Sequence, residues 1–286
     1  MPFFSQTIHE CGPAALATVL NYSAAKATPE DLAHEVYIPG RQGSLQIEML
    51  AATRRHGRLP FIIEPHLDTL RSEVAAGLPV LVLQDLGALW IHRWHYAVVV
   101  GYEPATDMLI LRSGTDRRRL ESVDRFIYSW ERAGRWGMLV LPPGVLPATA
   151  IPERYTRALS DAAASLPAGD VAMDFDAAVA RWGTSPTLLF AAANNAYASG
   201  DLARAEALYR RLLALDPGQV AARNNLATLL LDRACVAAGQ REAKIALNNA
   251  EPTSPFLEAL RDTSRRAQSL TPDHEPAECQ DVAIGR

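Results

Sequence analysis

Four prolines, Pro142, Pro143, Pro147 and Pro152, with Gly144 among them, cut this chain into two parts that cannot share a continuous strand or helix. Proline lacks the backbone donor that a central strand or a helix interior needs. Before these prolines, helical spacing gives way to short β-branched and aromatic runs; after them alanine dominates and strand signals vanish. The length, 286 residues, suits two modest domains. The expected arrangement is an α+β domain over residues 1–142, a Pro-rich linker at 143–152, an all-α domain over 153–270, and a disordered tail at 271–286.

Within the first part the helices come early. Ala14 to Tyr22 opens after Cys11-Gly12-Pro13, Thr28-Pro29-Glu30-Asp31 reads as a capped helix start, and Ser44 reads as the cap of a helix ending at Gly57. A fourth helix, Asp68 to Ala76, stops at Gly77. Leu78 to Leu83, Trp94 to Tyr102, Met108 to Arg112 and Trp136 to Leu141 then read as strands of a buried antiparallel sheet, with a helix from Val123 to Ala133 before the last.

Composition excludes several classes of function. With 49% hydrophobic and 21% charged residues the chain is globular, and a net charge of −4 gives no basic stripe for nucleic acid. The run Arg117-Arg118-Arg119 is short and reads as a solvated loop. The most apolar stretch, Leu78 to Tyr102, is interrupted by Gln84, Asp85, His92, Arg93 and His95, so no membrane span is expected. Three scattered cysteines, Cys11, Cys235 and Cys279, suggest neither a disulfide framework nor a zinc site. The start, Met1 to Gln6, lacks the pattern of a signal peptide, so an exported form would need an upstream segment.

The chemistry concentrates on Cys11. A thiolate at the head of a helix is favoured by the unpaired N–H groups and the macrodipole there. Gln6, five residues upstream, can supply a side-chain amide to an oxyanion beside the Cys11 backbone N–H, and His95 heads the apolar run Trp94 to Tyr102. A cysteine on a helix facing a histidine on a strand is what nucleophilic thiol catalysis requires. His92 and His95 invite a metal reading, but positions three apart on one strand face opposite ways. No metal or cofactor is expected.

Glu10-Cys11-Gly12-Pro13-Ala14-Ala15-Leu16, Gly43-Ser44-Leu45, His56-Gly57 and His95-Tyr96-Ala97-Val98-Val99-Val100-Gly101, in that order, resemble the bacteriocin-processing (double-glycine-leader) cysteine peptidases and their free-standing relatives. The resemblance covers about the first half of the chain and implies a papain-like fold. It implies Cys11 as nucleophile, His95 as general base and acid, and Gln6 as oxyanion donor. Gln6 stands one residue nearer the cysteine than in the transporter-borne enzymes. The family's third catalytic position is an aspartate at the end of the strand after the histidine strand; here Ser113 holds that slot and Asp116 lies in the next turn. Neither a membrane domain nor a Gly-x-x-x-x-Gly-Lys phosphate loop accompanies the motif, so the transporter that usually carries it is missing.

In the second part, Ala193, Ala196-Tyr197, Gly200-Asp201, Ala205, Tyr209 and Asp216-Pro217 match the small, large and turn positions of one tetratricopeptide unit. A second unit starts near Val220, with Gly239 as a late turn glycine, and the helices at 153–182 and 255–270 are expected to complete the stack. Together these features predict a thiol peptidase acting on a peptide or protein substrate, with the repeats holding a substrate or protein partner. The alternative is a silent peptidase fold serving with the repeats as an adaptor.

Overall fold

From Gly12 to Leu20 every residue of helix α1 (Cys11–Tyr22) is buried, so the first helix runs through a core rather than over it. The computed structural model describes residues 1–5, 11–41, 43–88, 90–272, 276 and 279. The chain forms two compact units, Met1–Ala177 and Ala178–Arg286.

In the first unit α1 is followed by α2 (Pro29–Val36), β1 (Tyr37–Ile38), β2 (Gly43–Ser44), α3 (Gln46–Arg55), β3 (Leu59–Ile62), α4 (Leu67–Ala75), β4 (Val80–Asp85), β5 (Trp94–Glu103), β6 (Met108–Ser113), β7 (Asp116–Ser122), α5 (Val123–Arg132), β8 (Gly137–Leu141), α6 (Pro152–Ala162) and most of α7 (Ala168–Trp182), within which the first unit ends. Six strands form one antiparallel sheet in the order β3-β8-β4-β5-β6-β7, and β1 pairs with β2. The class is therefore α+β. Strands β4 and β8 are buried throughout, which explains why they read as continuous apolar runs. The core on α1 joins Leu16, Leu20, Leu81, Tyr96, Val98 and Met138.

Local chemistry explains several boundaries. Thr28 caps α2 by accepting from the Asp31 N–H at 3.1 Å and donating to the Asp31 carboxylate at 2.7 Å. Ser44 does not cap α3: it lies in β2, Leu45 takes the cap position, and among the described residues the Ser44 hydroxyl has no hydrogen-bond partner. Arg117-Arg118-Arg119 is not a loop but part of β7, the edge strand. An edge needs no apolar alternation, and charge on it blocks pairing with another chain.

The proline-containing stretch after β8 is tied into the first unit. Buried Glu73 of α4 accepts from the N–H groups of Ala148 and Thr149, both at 2.8 Å, and from the Thr149 hydroxyl at 2.5 Å. Helix α6 packs on β3, where Arg154 donates to the Ile62 carbonyl at 2.9 Å and Tyr155 meets Phe61.

Asp174 of α7 is buried and accepts from the Gly144 N–H at 2.6 Å. Burial nevertheless pushes its carboxyl up to about 6. The folded state then holds this proton more tightly than the unfolded chain, so the stabilisation is complete below the ordinary aspartate range and is lost as pH rises through about 6. Asp174→Asn should therefore gain on the wild type as pH climbs from 4 to 7, a trend that paired thermal melts would read.

The second unit contains α8 (Pro186–Ala198), α9 (Leu202–Leu215), α10 (Val220–Asp232), α11 (Val236–Asn248) and α12 (Leu257–Gln268). Ser185 and Asp201 cap α8 and α9. The turn of the second hairpin falls at Ala234, not at Gly239. Ala234 takes the left-handed conformation that Gly200 takes in the first hairpin, about 34 residues earlier. Gly239 instead lies inside α11, where a Cβ would come within 2.6 Å of Leu231, so the glycine serves close helix approach.

Cys235 and Cys279 form a disulfide, which the scattered cysteines did not indicate. Spacing alone hid it, since the partners are 44 positions apart and neither sits in a dense cysteine pattern. It ties Cys279, within the stretch expected to be disordered, to the start of α11; most of that tail lies outside the described residues. A loop of this length is worth about 4 kcal/mol in the chain-entropy account. Reduction, or Cys279→Ser, should lower the melting temperature of the second unit by several degrees, as followed by helical circular dichroism. Among the described residues no helix is long and apolar enough to cross a membrane.

Candidate active site

Cys11 is the first residue of α1, so it stands at the helix end that carries unpaired N–H groups. The next position must be small: a Cβ on Gly12 would lie 2.4 Å from the Ser44 hydroxyl. The Tyr96 side chain bridges the same corner, its hydroxyl donating to the Ser44 carbonyl at 3.1 Å. Burial pushes the Cys11 thiol up, against the opposing pull of the backbone N–H groups of Tyr96, Gly12 and Cys11 itself. The helix start alone therefore does not make a resting thiolate here.

Tyr96 is the residue after His95, and Cys11 packs against the core cluster that contains it. Nε2 of His95 is engaged at 2.8 Å by the hydroxyl of buried Ser113. Strand β6 shifts register against β7 between Leu111 and Ser113, a local irregularity of the kind that re-aims a side chain. Asp116 lies exposed at the start of β7, paired in register with Ser113. Burial, reinforced by the charges of Arg119 and Arg93, pushes His95 down to about 4. Thiol and imidazole are thus both neutral at rest.

Gln6 lies outside the described residues. His92 is not on the strand of His95, as the metal argument assumed; it sits in the loop before β5 with Nδ1 2.7 Å from Asp85. His56 ends α3 and contacts Glu35 at 2.9 Å. Of the tryptophans, Trp130 is buried with its indole N–H on the Trp136 carbonyl, and Trp136 packs edge-on against Tyr96. Trp90 and Trp94 are exposed.

Sequence reasoning missed Asp85, which organises the approach to His95. Its buried carboxylate accepts from the N–H groups of Gly87 and Arg93, both at 2.9 Å, from Arg132 at 2.8 and 3.1 Å, and contacts His92. Though burial opposes it, these donors hold the carboxyl well below the usual aspartate range. An acid at the end of an apolar run followed by glycine reads as a turn signal, and nothing in its neighbourhood announces Arg132.

Among solved structures, a putative C39-like peptidase from Bacillus anthracis is 15% identical over 49% of this chain and 94% of its own, with a TM-score of 0.41. A double glycine motif protease from an AMS/PCAT transporter, solved with its leader peptide, is 19% identical over 49% and 91%, with a TM-score of 0.38. The peptidase domain of Streptococcus ComA, a bi-functional ABC transporter, is 20% identical over 49% and 97%, with a TM-score of 0.39. No curated protein matches the chain. The segment that holds Cys11, His95 and Ser113 is nonetheless similar to a family of peptidases: residues 1–138 match the model described as the Peptidase_C39 like family.

Proposed function

We propose that the first unit is a cysteine peptidase in which Cys11 attacks a peptide carbonyl and His95 carries the proton. The observation that supports this most is that Cys11, at the head of α1, packs against the core cluster that contains Tyr96, the residue after His95. From a neutral pair, the imidazole takes the thiol proton at Nδ1 as sulfur adds to the carbonyl, while Nε2–H donates to Ser113. The Cys11 N–H and, by the resemblance, the Gln6 amide stabilise the oxyanion. His95 then gives the proton to the departing amine, leaving a thioester that water hydrolyses by the reverse sequence. Ser113 orients the ring; Asp116 is left to solvent. The equally spaced hairpins of the second unit support a tetratricopeptide-type array that holds a peptide or protein partner, and its disulfide favours an oxidising compartment.

A second reading, a silent fold acting as an adaptor, draws support from the serine where a carboxylate would stabilise an imidazolium. Incubation with a proteome-derived peptide library, with new termini mapped by mass spectrometry, should show cleavages that vanish in Cys11→Ala. No cleavage, together with Cys11 alkylating no faster than a free thiol, would leave the adaptor.

A further inference from the structure

The loop between β4 and β5 is held by its own hydrogen bonds, and among its described residues Trp90 and Ile91 turn outward. Its backbone closes on itself, with Leu86 N–H on the Arg93 carbonyl at 2.9 Å and Ile91 N–H on the Ala88 carbonyl at 3.0 Å. A Cβ on Gly87 would fall 1.8 Å from the Ile91 carbonyl oxygen, so only glycine allows the fold. The Asp85 carboxylate anchors both of its ends. Burying a charge to fix a surface loop costs stability unless its donors are all supplied, as they are here. What this loop displays is Trp90 at 80% exposure, Ile91 at 67%, and Trp94 at 53% with its ring stacked on His92.

Apolar groups this exposed, grouped on one rigid loop, mark a recognition surface rather than a core. The loop runs directly into His95. Charge narrows the ligand: Arg93 is exposed with no ion pair among the described residues, Arg119 reaches Glu121 only at 4.0 Å, and both act on His95.

Resting on the peptidase reading, we propose that the Trp90–Trp94 loop is the recognition wall of the site, and that its substrate is a peptide carrying a bulky apolar side chain beside an acidic one. The apolar group lies on Trp90 and Trp94, and the acid faces Arg93.

Three probes test this: acetyl-Glu-Phe-Gly, acetyl-Glu-Ala-Gly and acetyl-Lys-Phe-Gly chloromethyl ketones. Each alkylates Cys11 with loss of chloride, and each rate is divided by the iodoacetamide rate of the same variant. The Glu-Phe probe should lead each of the others by about tenfold or more. Trp90→Ala and Trp94→Ala should collapse the preference for Phe, and Arg93→Gln the preference for Glu over Lys. Equal rates for all three probes, or preferences that survive these substitutions, would overturn the proposal while leaving the peptidase reading standing. So would a concentration-dependent dimer that Trp90→Ala dissolves, since a second copy would then occupy the wall. If no probe labels Cys11 faster than iodoacetamide does, the peptidase reading falls and takes the recognition wall with it.

Discussion

His95→Ala should lower peptide turnover by about three orders of magnitude, the range in which a positioned general base contributes, while circular dichroism stays at the wild-type signal. The loss should be large because the thiol has no other means of ionising. Burial holds Cys11 protonated, so without the imidazole the attacking sulfur would carry its proton into the reaction. The acid limb of kcat/KM provides a sharper check. His95 must be neutral to act, and it titrates at about 4, so activity should persist well below the ordinary histidine range and fall only as pH approaches that value. Ser113→Asp would place a carboxylate on Nε2 and should move that limb upward, because an adjacent negative charge favours the imidazolium. An acid limb near 6.5 in the wild type would show that burial does not depress the ring and that this account of His95 is wrong.

Asp85→Ala should destabilise the first unit by about 3–5 kcal/mol, the cost of removing one partner from a buried ionic cluster, as measured by urea denaturation. Arg132 would lose its carboxylate, and the Gly87 and Arg93 N–H groups would lose their acceptor. Arg132→Ala in the Asp85→Ala background should cost less than it does alone, since the charge it answered has gone. The pH dependence has the opposite sign to that of Asp174. Asp85 holds its proton less tightly when folded, so its contribution is present above the ordinary aspartate value and is lost as pH falls through the depressed one. Asp85→Asn keeps the shape, removes the charge and should flatten that acid loss.

Where one physical signal dominated a segment, the sequence was readable. The apolar runs of β4, β5, β6 and β8, the Thr28 cap and the stop at Gly77 follow from periodicity and backbone preference, and the structure has all of them. Strand β3 escaped because Pro60 sits within it, and β7 because its arginines mimic a loop. Cys11 and His95 stood out as candidates by residue type and order and Ser113 only through the resemblance, while the contact of Ser113 with His95 follows from antiparallel pairing of neighbouring strands. The Asp85 cluster and the Cys235–Cys279 bridge did not stand out. Both depend on residues dozens of positions apart, which no local pattern brings together.

The carboxylate of Glu73 has a bearing on how this chain can be shortened. Its three donors all come from Ala148 and Thr149, beyond the last strand of the sheet. A fragment trimmed at the prolines would strand that anion in a dry slot with nothing to answer it. The smallest piece that folds as the first unit does must carry its strap along.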